Sequence, residues 1–336
     1  MKEFTPARVR AIRRALSDWY QANKRDLPWR RTRDPYRVWI SEIMLQQTRV
    51  AAAIPYYERF LARFPDVGSL AVASDDDLLN AWAGLGYYSR ARNVRAAAQI
   101  ISANGAFPDS YDAIIALPGI GPYTAAAISS ICFGLPHAVL DGNVMRVLAR
   151  LTQEEGDIQS SSTRKRLQES AQNLLDVRNA SDHNQAMMEL GAVICIPRDP
   201  KCKFCPVSKD CFAHSAGLAA ELPIKLRRAE IRRVRRTLLA VIRNGNILLW
   251  QREQDAAMLG GFYELPEPHQ LPEVKTAKLL YEFSHAITNH IYDFRVMAAR
   301  VGQMNPPLQW VPLEQLSALP LSTVARKALV GGNILL

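Results

Sequence analysis

The sequence predicts a multidomain protein in which a large all-α region precedes a smaller α+β domain. Apolar residues recur at three- and four-residue spacing over residues 5–220, which is the period of helices that pack on one face. Runs rich in β-forming residues begin only after a basic segment at residues 225–236. The 336 residues suffice for two or three domains with a sizeable core. We therefore predict an all-α region at 1–224, a basic linker at 225–236 and an α+β domain at 237–336.

Within the all-α region, residues Leu117–Ala125 (LPGIGPYTA) predict two helices joined by a Gly-x-Gly turn. One helix should end near Ala116, and the next should begin near Pro122. Gly119 and Gly121 permit positive φ angles, and the backbone N–H groups at the start of the second helix can approach an anion closely. The segment is consistent either with a DNA phosphate site or with an ordinary turn between two helices.

The net charge of +10 is concentrated in one short segment. Residues 225–236 (KLRRAEIRRVRR) hold seven basic residues and one acidic residue, which is +6 of that total. This run indicates an anionic partner, with nucleic acid favoured over a membrane, although a solvated linker has the same composition. The sequence contains no stretch of about 18 apolar residues, so a membrane-spanning protein is excluded. The N-terminal residues lack the apolar core of a signal peptide, so we expect a cytoplasmic chain.

Four of the five cysteines form a C-x6-C-x2-C-x5-C pattern within seventeen residues. A cytoplasmic chain of this size neither requires nor retains a disulfide framework, so metal ligation is the better interpretation. Four thiolates can close a tetrahedral zinc site or hold an iron–sulfur cluster, and the spacing alone does not choose between them. The predicted metal ligands are Cys195, Cys202, Cys205 and Cys211.

The α+β domain begins with a hairpin signal. Residues 237–250 (TLLAVIRNGNILLW) place Asn244-Gly245 between two strand-like runs, which favours a two-residue turn with positive φ angles. Residues 287–301 predict a further strand, and residues 325–330 predict a short helix. Strands and a helix in one short segment indicate a separate α+β domain.

Several motifs together carry a family resemblance. LPGIGPYTA is followed by LDGNVMRVLAR at 140–150 and by the four-cysteine segment, and this order resembles the helix-hairpin-helix, iron–sulfur DNA glycosylases. Four further motifs resemble the adenine DNA glycosylase (MutY) family within that superfamily. They are LPWR at 27–30, SEIMLQQT at 41–48, GLGYYSRARN at 84–93 and NQAMMELGA at 184–192.

The resemblance covers residues 8–215 and implies a six-helix barrel that contains the helix-hairpin-helix. It also implies an iron–sulfur cluster subdomain built from the N-terminal helix and residues from about 140 to 220. In that family the four cysteines hold a [4Fe–4S] cluster, which the spacing allows but does not select. The cluster is expected to fix a basic loop, including Lys201 and Lys203, against the DNA backbone.

Cleaving the bond between adenine N9 and deoxyribose requires protonation of the leaving base and stabilisation of the positive charge that develops on the sugar. We therefore expect two carboxyl groups, one protonated and one ionised. The resemblance assigns the acid to Glu42, which lies in an apolar helix where burial favours its protonated form. It assigns the sugar-stabilising carboxylate, acting electrostatically or through a transient covalent bond, to Asp141, which is also a candidate helix N-cap. Asn143 would position water or the acid, and Tyr123 would assist at the sugar.

Tyr123 also bears on the class of glycosylase. The endonuclease III branch of the superfamily carries a lysine at this position of the hairpin. A lysine amine can form a Schiff base with the sugar and then cleave the strand, whereas a phenol cannot. The resemblance therefore implies a monofunctional glycosylase with little or no lyase activity.

The scissile bond is inaccessible in stacked DNA, so the adenine must leave the duplex and enter a pocket. The resemblance places four residues around that base, namely Trp29, Arg30, Leu45 and Gln185. Gln46 and Tyr87 match residues that wedge into the duplex near the opposing base. The complete set of expected DNA contacts is Gln46, Gln47, Tyr87, Gly119, Gly121, Lys201 and Lys203.

The last hundred residues resemble the Nudix-like domain of these glycosylases through LLAVIRNGNILLWQRE and LGGFYELPE. They lack the carboxylate motif of Nudix hydrolases, so nucleotide hydrolysis is not expected. The family recognises 8-oxoguanine opposite the adenine with a Phe-Ser-His motif, which Phe283, Ser284 and His285 supply. The sequence departs from the family afterwards, where the usual Thr-His is Thr288-Asn289-His290.

The resemblance implies a monomeric, nucleoid-associated enzyme that excises adenine opposite 8-oxoguanine or guanine in double-stranded DNA. Three other hypotheses stay open at this point. A glycosylase with lyase activity would share the fold, and a non-catalytic DNA-binding module would share the hairpin and the basic run. A Nudix hydrolase would use the C-terminal domain.

Overall fold

A computed structural model describes residues 1–226, 230–253, 256, 259–271, 274–287, 289–301 and 308–335, without the side chains of residues 276 and 277. The chain forms two compact units. The first comprises Met1–Tyr57 and Ala96–Arg228, and the second comprises Glu58–Arg95 and Ala229–Leu336. The second unit therefore includes a helical segment that the sequence assigns to the all-α region. None of the described helices is long and apolar enough to cross a membrane.

The described part of residues 1–226 contains helices and no strand, as the helical periodicity predicts. Short 3-10 helices lie at Pro28–Arg30, Cys202–Phe204 and Ser208–Asp210. The α-helices are α1 (Pro6–Asn23), α2 (Pro35–Leu45), α3 (Val50–Arg63), α4 (Val67–Ala71), α5 (Asp75–Trp82), α6 (Ser89–Ala103), α7 (Tyr111–Ile115), α8 (Pro122–Phe133), α9 (Gly142–Leu151), α10 (Ser161–Leu174), α11 (Ala180–Val193) and α12 (Phe212–Ser215).

One hydrophobic core in the first unit joins four of these helices. Leu16 of α1, Val147 of α9, Leu167 of α10 and Leu190 of α11 belong to this core, and each is at most 1% exposed. Helix α1 is therefore fixed by apolar burial against helices that follow it by more than a hundred residues. This packing places the N-terminal helix in the same core as Cys211 of the four-cysteine segment.

The hairpin between α7 and α8 forms where the sequence predicts it. Helix α7 ends at Ile115, and α8 begins at Pro122 in the first helical position. Gly119 has a φ of 75°, so it uses the conformational freedom of glycine. Gly121 has a negative φ of −98° and serves as the N-cap residue of α8.

The sheet of the second unit has six strands, and one further helix follows them. The strands are β1 (Arg232–Arg243), β2 (Asn246–Gln251), β3 (Tyr263–Glu264), β4 (Val274–Ile287), β5 (His290–Val301) and β6 (Leu308–Pro312), and the helix is α13 (Thr323–Gly331). The strand order is β3-β2-β1-β5-β4, with β6 paired to β2. Strands β1 and β5 are parallel, and the other pairs are antiparallel. Asn244 and Gly245 have φ angles of 48° and 73°, which confirms the predicted hairpin turn.

Two predicted boundaries in the second unit are wrong. Residues Arg232–Arg236 of the predicted linker belong to β1, because they pair in register with the start of β5. The charge run concealed this strand, since long arginine side chains can occupy the exposed positions of a paired strand. The predicted strand at 287–301 is two strands, with Ile287 ending β4 and His290 beginning β5. Residues 227–229 and Thr288 lie outside the described residues.

The two faces of the β4–β5 pair have different environments. Phe283 packs against Phe294 on the face that is covered by the core around α13, with ring centroids 5.1 Å apart. Ser284 pairs directly with Asp293 across the ladder, one residue later on β4 and one earlier on β5. Because side chains alternate along a strand, Ser284 and Asp293 lie on the opposite face, where Ser284 is exposed.

Candidate active site

A cavity of about 420 Å³ in the first unit brings together most of the predicted site residues. Its lining comes from α2, α8, α9, α11 and the 3-10 helix at Pro28–Arg30. The volume is within the range of roughly 300–1,000 Å³ that is typical of small-molecule sites. Ten predicted residues line it, namely Trp29, Arg30, Glu42, Leu45, Gln46, Gln47, Tyr123, Asp141, Asn143 and Gln185.

Glu42 is a buried carboxyl group on the wall of this cavity. It lies in α2, a helix with eight buried residues, and it is 5% exposed. The Tyr123 hydroxyl donates a hydrogen bond to Glu42 Oε2 at 2.6 Å. Burial raises the pKa of Glu42 to about 7, with a further increase from the nearby Asp141, while Tyr123 and Arg30 lower it. The side chain is therefore partly protonated at neutral pH, in the direction that its apolar helix predicts.

Asp141, the second predicted catalytic carboxyl group, occupies the N-cap position of α9 and also lines the cavity. Its Oδ1 accepts the Val144 N–H at 2.7 Å, and its Oδ2 accepts the Asn143 side-chain amide at 3.0 Å. Burial raises the pKa of Asp141 above its ordinary value, although these donors and the Arg146 charge lower it in part. Glu42 has one hydroxyl partner, but Asp141 has two N–H donors and a helix N-terminus, which favour the ionised form.

The orientation of Asn143 is fixed from the side opposite Asp141. Arg146 Nη2 donates to Asn143 Oδ1 at 2.9 Å and to the Gly191 carbonyl at 2.7 Å. Arg146 Nε donates to the Cys195 carbonyl at 2.8 Å. The Arg146 guanidinium therefore connects α9, α11 and the backbone of Cys195.

Trp29 and Gln185 of the predicted base pocket are held by aromatic and polar neighbours. Trp29 is 7% exposed and packs edge to face with Tyr57, with ring centroids 5.4 Å apart. The Tyr20 hydroxyl donates to Gln185 Oε1 at 3.2 Å. Because a buried tyrosine of α1 orients this amide, the N-terminal helix contributes to the cavity as well as to the core.

Glu189 and Arg25, which are not among the predicted site residues, also line the cavity. Glu189 accepts two hydrogen bonds at 2.7 Å from the Arg25 guanidinium and one at 2.9 Å from Arg30. Burial alone would raise the pKa of Glu189, but these arginines outweigh burial and lower it to about 2. Two arginines thus keep this buried carboxylate ionised. An acidic residue inside the NQAMMELGA motif, together with the arginines around LPWR, is the signal that could have identified the cluster.

The predicted DNA contacts lie in several places. Gln46 and Gln47 border the cavity, where Gln46 Nε2 lies 3.5 Å from Thr124 Oγ1 and Gln47 has a positive φ of 61°. The exposed Gly119 lies in the turn between α7 and α8, away from the cavity lining. Lys201 and Lys203 are exposed on the cysteine loop.

The four predicted cysteine ligands surround one small cavity in the first unit. Arg150, which is 1% exposed, donates from Nη1 to Cys195 Sγ at 3.3 Å and to the Ile196 carbonyl at 2.7 Å. Within the described residues, no three His, Cys, Asp or Glu side chains converge on one position that would hold a single metal ion. Four thiolates that share a cavity, with a buried guanidinium beside one of them, fit an anionic cluster in which each iron takes one thiolate.

A second cavity, of about 460 Å³, lies in the second unit. Tyr87 and His285 both line it, together with Ser322–Val324 at the start of α13. Tyr87 is 45% exposed and has a positive φ of 49°. Lys327 Nζ lies 3.3 Å from His285 Nδ1, and burial together with the Lys327 charge lowers the pKa of His285.

The three residues of the Phe-Ser-His motif do not share a face of the sheet. Phe283 is packed against the core, and His285 lies on the same side of the strand. Ser284 lies on the other side, where its hydroxyl donates to Asp293 Oδ1 at 2.5 Å. Strand alternation therefore separates the Ser284 side chain from those of Phe283 and His285.

Comparisons with known proteins agree with this arrangement. Residues 40–173 match the model of the HhH-GPD superfamily base excision DNA repair proteins. The chain is similar to a solved thermostable thymine-DNA glycosylase, with 29% identity and a TM-score of 0.58 over 62% of this chain and 98% of that one. The adenine DNA glycosylase of Buchnera aphidicola subsp. Acyrthosiphon pisum is 44% identical over 62% of this chain, a match that spans 60% of that relative.

A longer match comes from the adenine DNA glycosylase of Buchnera aphidicola subsp. Baizongia pistaciae. It is 33% identical over 288 residues, which is 82% of this chain and 82% of the relative. Such a match extends beyond the helical region into the second unit's sheet. This similarity, over a helix-hairpin-helix and a buried carboxyl-lined cavity, means that the chain belongs to the adenine DNA glycosylase family of base-excision repair proteins.

Proposed function

We propose that this protein is a monofunctional adenine DNA glycosylase. It hydrolyses the N-glycosidic bond of adenine opposite 8-oxoguanine or guanine and leaves an abasic site. The observation that carries the proposal is the pair of carboxyl groups in the 420 Å³ cavity, in which Glu42 has a pKa near 7 beside the N–H-bound Asp141. The protein acts on double-stranded DNA as a monomer, in the cytoplasm at the nucleoid.

Glu42 supplies the acid. A pKa of about 7 leaves roughly half of the side chains protonated at neutral pH, which suits proton transfer to a leaving base. Tyr123 donates to Oε2, so the other carboxyl oxygen, Oε1, carries the acid proton. Donation to adenine N7 makes the base a neutral leaving group, and the bond to the sugar then breaks with less charge separation.

Asp141 supplies the opposing charge. As the adenine leaves, positive charge develops on the sugar, and an ionised carboxylate beside it lowers the energy of that state. The Val144 N–H and the Asn143 amide stabilise the ionised form of Asp141 and fix its direction. Arg146 fixes Asn143 in turn, so the carboxylate is preorganised before DNA binds.

The monofunctional character rests on the lining of the cavity. No lysine is among the described residues that border the cavity. Tyr123 occupies the position of the hairpin at which the endonuclease III branch carries a lysine. A lyase reaction through a Schiff base needs an amine close to the sugar C1′. Without one, the abasic strand stays intact until alkali cleaves it.

The flipped adenine is read by polar groups that are already held in place. Gln185 is oriented by Tyr20, and Arg30 is oriented by Glu189. Both present fixed hydrogen-bonding groups, while Trp29 and Leu45 supply apolar contact to the base. Fixed donors and acceptors in a buried pocket reject a base with the wrong pattern, because they would be left unpaired.

We further propose that Cys195, Cys202, Cys205 and Cys211 hold a [4Fe–4S] cluster. The shared cavity and the Arg150 guanidinium beside Cys195 support this assignment. When bound, the cluster would cross-link the loop, so that the exposed Lys201 and Lys203 are held in position to meet DNA phosphates. Iron and acid-labile sulfide analysis of the purified protein tests the assignment, and zinc in their place would contradict it.

The C-terminal domain, which we propose to be Nudix-like, recognises the base opposite the adenine. A cavity lined by Tyr87 and His285 and the exposed Ser284 are the features that support this role. Nucleotide hydrolysis is disfavoured, because Glu264 and Glu267, which lie in LGGFYELPE, are paired with arginines. Arg236 binds Glu267, and Arg252 binds Glu264 at 2.6 Å.

Single-turnover excision from a duplex with adenine opposite 8-oxoguanine tests the function, with half of each sample treated with alkali. We expect strand breaks only after alkali, and a loss of at least a hundredfold in the excision rate of Glu42→Gln. Glu154→Gln is the matched control, because Glu154 is also buried at 4% exposure but pairs with Arg166 outside the cavity lining.

Other outcomes point to the remaining hypotheses. Breaks without alkali would indicate a lyase with an amine nucleophile. DNA binding without any excision would indicate a binding module. Equal excision by wild type and Glu42→Gln would remove Glu42 from the mechanism.

A further inference from the structure

The exposed face of the sheet around Ser284 is polar and basic. Ser284 on β4 pairs with Asp293 on β5, and Asp293 pairs with Arg235 on β1. Residues in register across a ladder share a face, so these three side chains lie in one row. Arg235 is exposed, and so is Arg295, which lies two residues along β5 on the same face and pairs with Glu282. Arg235 thus places a guanidinium on the same solvent-exposed face as Ser284, as an interface for phosphates requires.

Asp293 controls where the Ser284 hydrogen points. The distance of 2.5 Å from Ser284 Oγ to Asp293 Oδ1 is that of a charge-assisted O–H···O⁻ bond. Arg233 Nε lies 3.5 Å from the other oxygen of Asp293, so a cation supports the ionised carboxylate. With its only hydrogen donated to Asp293, the Ser284 oxygen can offer lone pairs alone to any third group.

This restriction matters for the bases that the proposed enzyme must distinguish. Guanine and 8-oxoguanine differ at position 7, where guanine has a lone pair and 8-oxoguanine has an N–H, and at position 8. A hydroxyl that is free to rotate can donate to the lone pair of guanine or accept from the N–H of 8-oxoguanine, so it binds either base. A hydroxyl that can only accept binds the N–H of 8-oxoguanine and repels the lone pair of guanine.

We propose that Asp293 is a specificity-determining residue, which holds the Ser284 hydroxyl as an acceptor so that it selects 8-oxoguanine over guanine at position 7. The inference rests on the proposed recognition of 8-oxoguanine by the C-terminal domain. Asp293 does not touch the base in this scheme and acts through Ser284. Part of the selectivity then comes from rejection of guanine rather than from extra affinity for the lesion.

The test measures Kd of the full-length protein for duplexes that carry 2′-fluoroadenosine, which resists excision, opposite 8-oxoguanine, guanine or 7-deazaguanine. For wild type we expect 7-deazaguanine, which has a C–H at position 7, to bind more tightly than guanine. In Asp293→Ala the hydroxyl is free to donate. The ratio of Kd for guanine to Kd for 8-oxoguanine should fall about tenfold, which is the typical value of one hydrogen bond.

The separate Kd values for the two duplexes distinguish a loss of base selectivity from general damage to the sheet. We expect Asp293→Ala to tighten binding opposite guanine and to leave binding opposite 8-oxoguanine within about threefold. Asp293→Asn, which keeps an acceptor for the hydroxyl, should restore most of the ratio. Adding Asp293→Ala to Ser284→Ala should cause no further change, because the two residues act as one unit.

Glu282→Ala is the matched control. Glu282 and Arg295 form a cross-strand pair at 2.9 Å on the same face, two residues from Ser284 and Asp293. Removing Glu282 therefore perturbs the same ladder to a similar degree without touching the hydroxyl, and the ratio should be unchanged.

Two results would overturn the inference, and a third bears on the proposed function itself. Equal weakening of both duplexes in Asp293→Ala, or an unchanged ratio, would show that Asp293 does not set the hydroxyl. Wild type that binds guanine as tightly as 7-deazaguanine would also contradict it, without the need for any variant. Wild type that does not distinguish 8-oxoguanine from guanine at all would instead overturn the proposed lesion recognition.

Discussion

The protonation of Glu42 should control the rate of adenine excision. Its pKa is raised to about 7 by burial, so the acid form is lost as the pH rises through that value. We expect the single-turnover rate to be highest below pH 7 and to fall about tenfold per pH unit above it. Burial also raises the pKa of Asp141, so a second decrease should follow at low pH as this carboxylate is protonated. A pH–rate profile measured with saturating enzyme checks both limbs.

Tyr123→Phe provides the control for this profile. The Tyr123 hydrogen bond lowers the pKa of Glu42, so its removal should move the alkaline limb to higher pH. A rate that stays constant between pH 6 and 8.5 in wild type would mean that Glu42 is not the acid. A shift of the limb to lower pH in Tyr123→Phe would mean that the hydrogen bond acts in another way.

At the level of single residues, the sequence could identify the site but not all of its charges. Glu42 and Asp141 lie inside short motifs, and each motif brings its residues to the cavity on one helix or turn. Glu189 binds Arg25 across 164 positions of sequence, so the partnership exists only after α1 and α11 pack together. The contact between Ser284 and Asp293 likewise depends on the strand register, which a single sequence does not specify.

The close packing of α11 against the start of α9 is an element-scale requirement for catalysis. A Cβ atom at Gly191 would lie 2.6 Å from Asn143 Cβ and 3.1 Å from its backbone carbonyl. Gly191→Ala should therefore displace Asn143, and with it Asp141, by a fraction of an ångström. We expect the single-turnover excision rate to fall about 10- to 100-fold, because the carboxylate loses its position beside the sugar.

Gly68→Ala is the control for inserting a methyl group into a helix. The nearest atom to a Cβ at Gly68 is the Asp66 side chain at 3.4 Å, an ordinary contact in the second unit. This variant should keep the wild-type rate. If Gly191→Ala also kept the wild-type rate with unchanged DNA affinity, the fit between α9 and α11 would not matter for catalysis.

The elements themselves were predictable to different degrees. Helical periodicity and the Gly-x-Gly turn located α7 and α8, because both signals are local. The start of β1 was missed, since Arg232–Arg236 has the composition of a solvated linker. Its strand conformation comes from parallel pairing with β5, about 58 residues later in the chain, and no local pattern records such a partner.

At the scale of the whole molecule, the excess positive charge should determine how strongly DNA binding depends on salt. The net charge is +10, but not every basic residue is available to phosphates. In the same strand, Arg235 is exposed on the face that carries Ser284, whereas Arg236 donates from Nε and Nη2 to the two oxygens of the Glu267 carboxylate. Adjacent arginines of β1 therefore differ in their capacity to neutralise DNA.

This difference predicts opposite outcomes for two neighbouring substitutions. Each phosphate contact contributes about −0.9 to the slope of log K against log salt concentration. Arg235→Gln should reduce the magnitude of that slope by about one such contact, with weaker binding at low salt. Arg236→Gln should leave the slope unchanged, because Glu267 already neutralises that guanidinium. The slopes of both variants are measured by fluorescence anisotropy with a 2′-fluoroadenosine duplex. The salt concentration is varied from about 50 to about 300 mM, a range that includes physiological ionic strength. Equal slopes for the two variants would mean that this face of the sheet lies away from the DNA backbone.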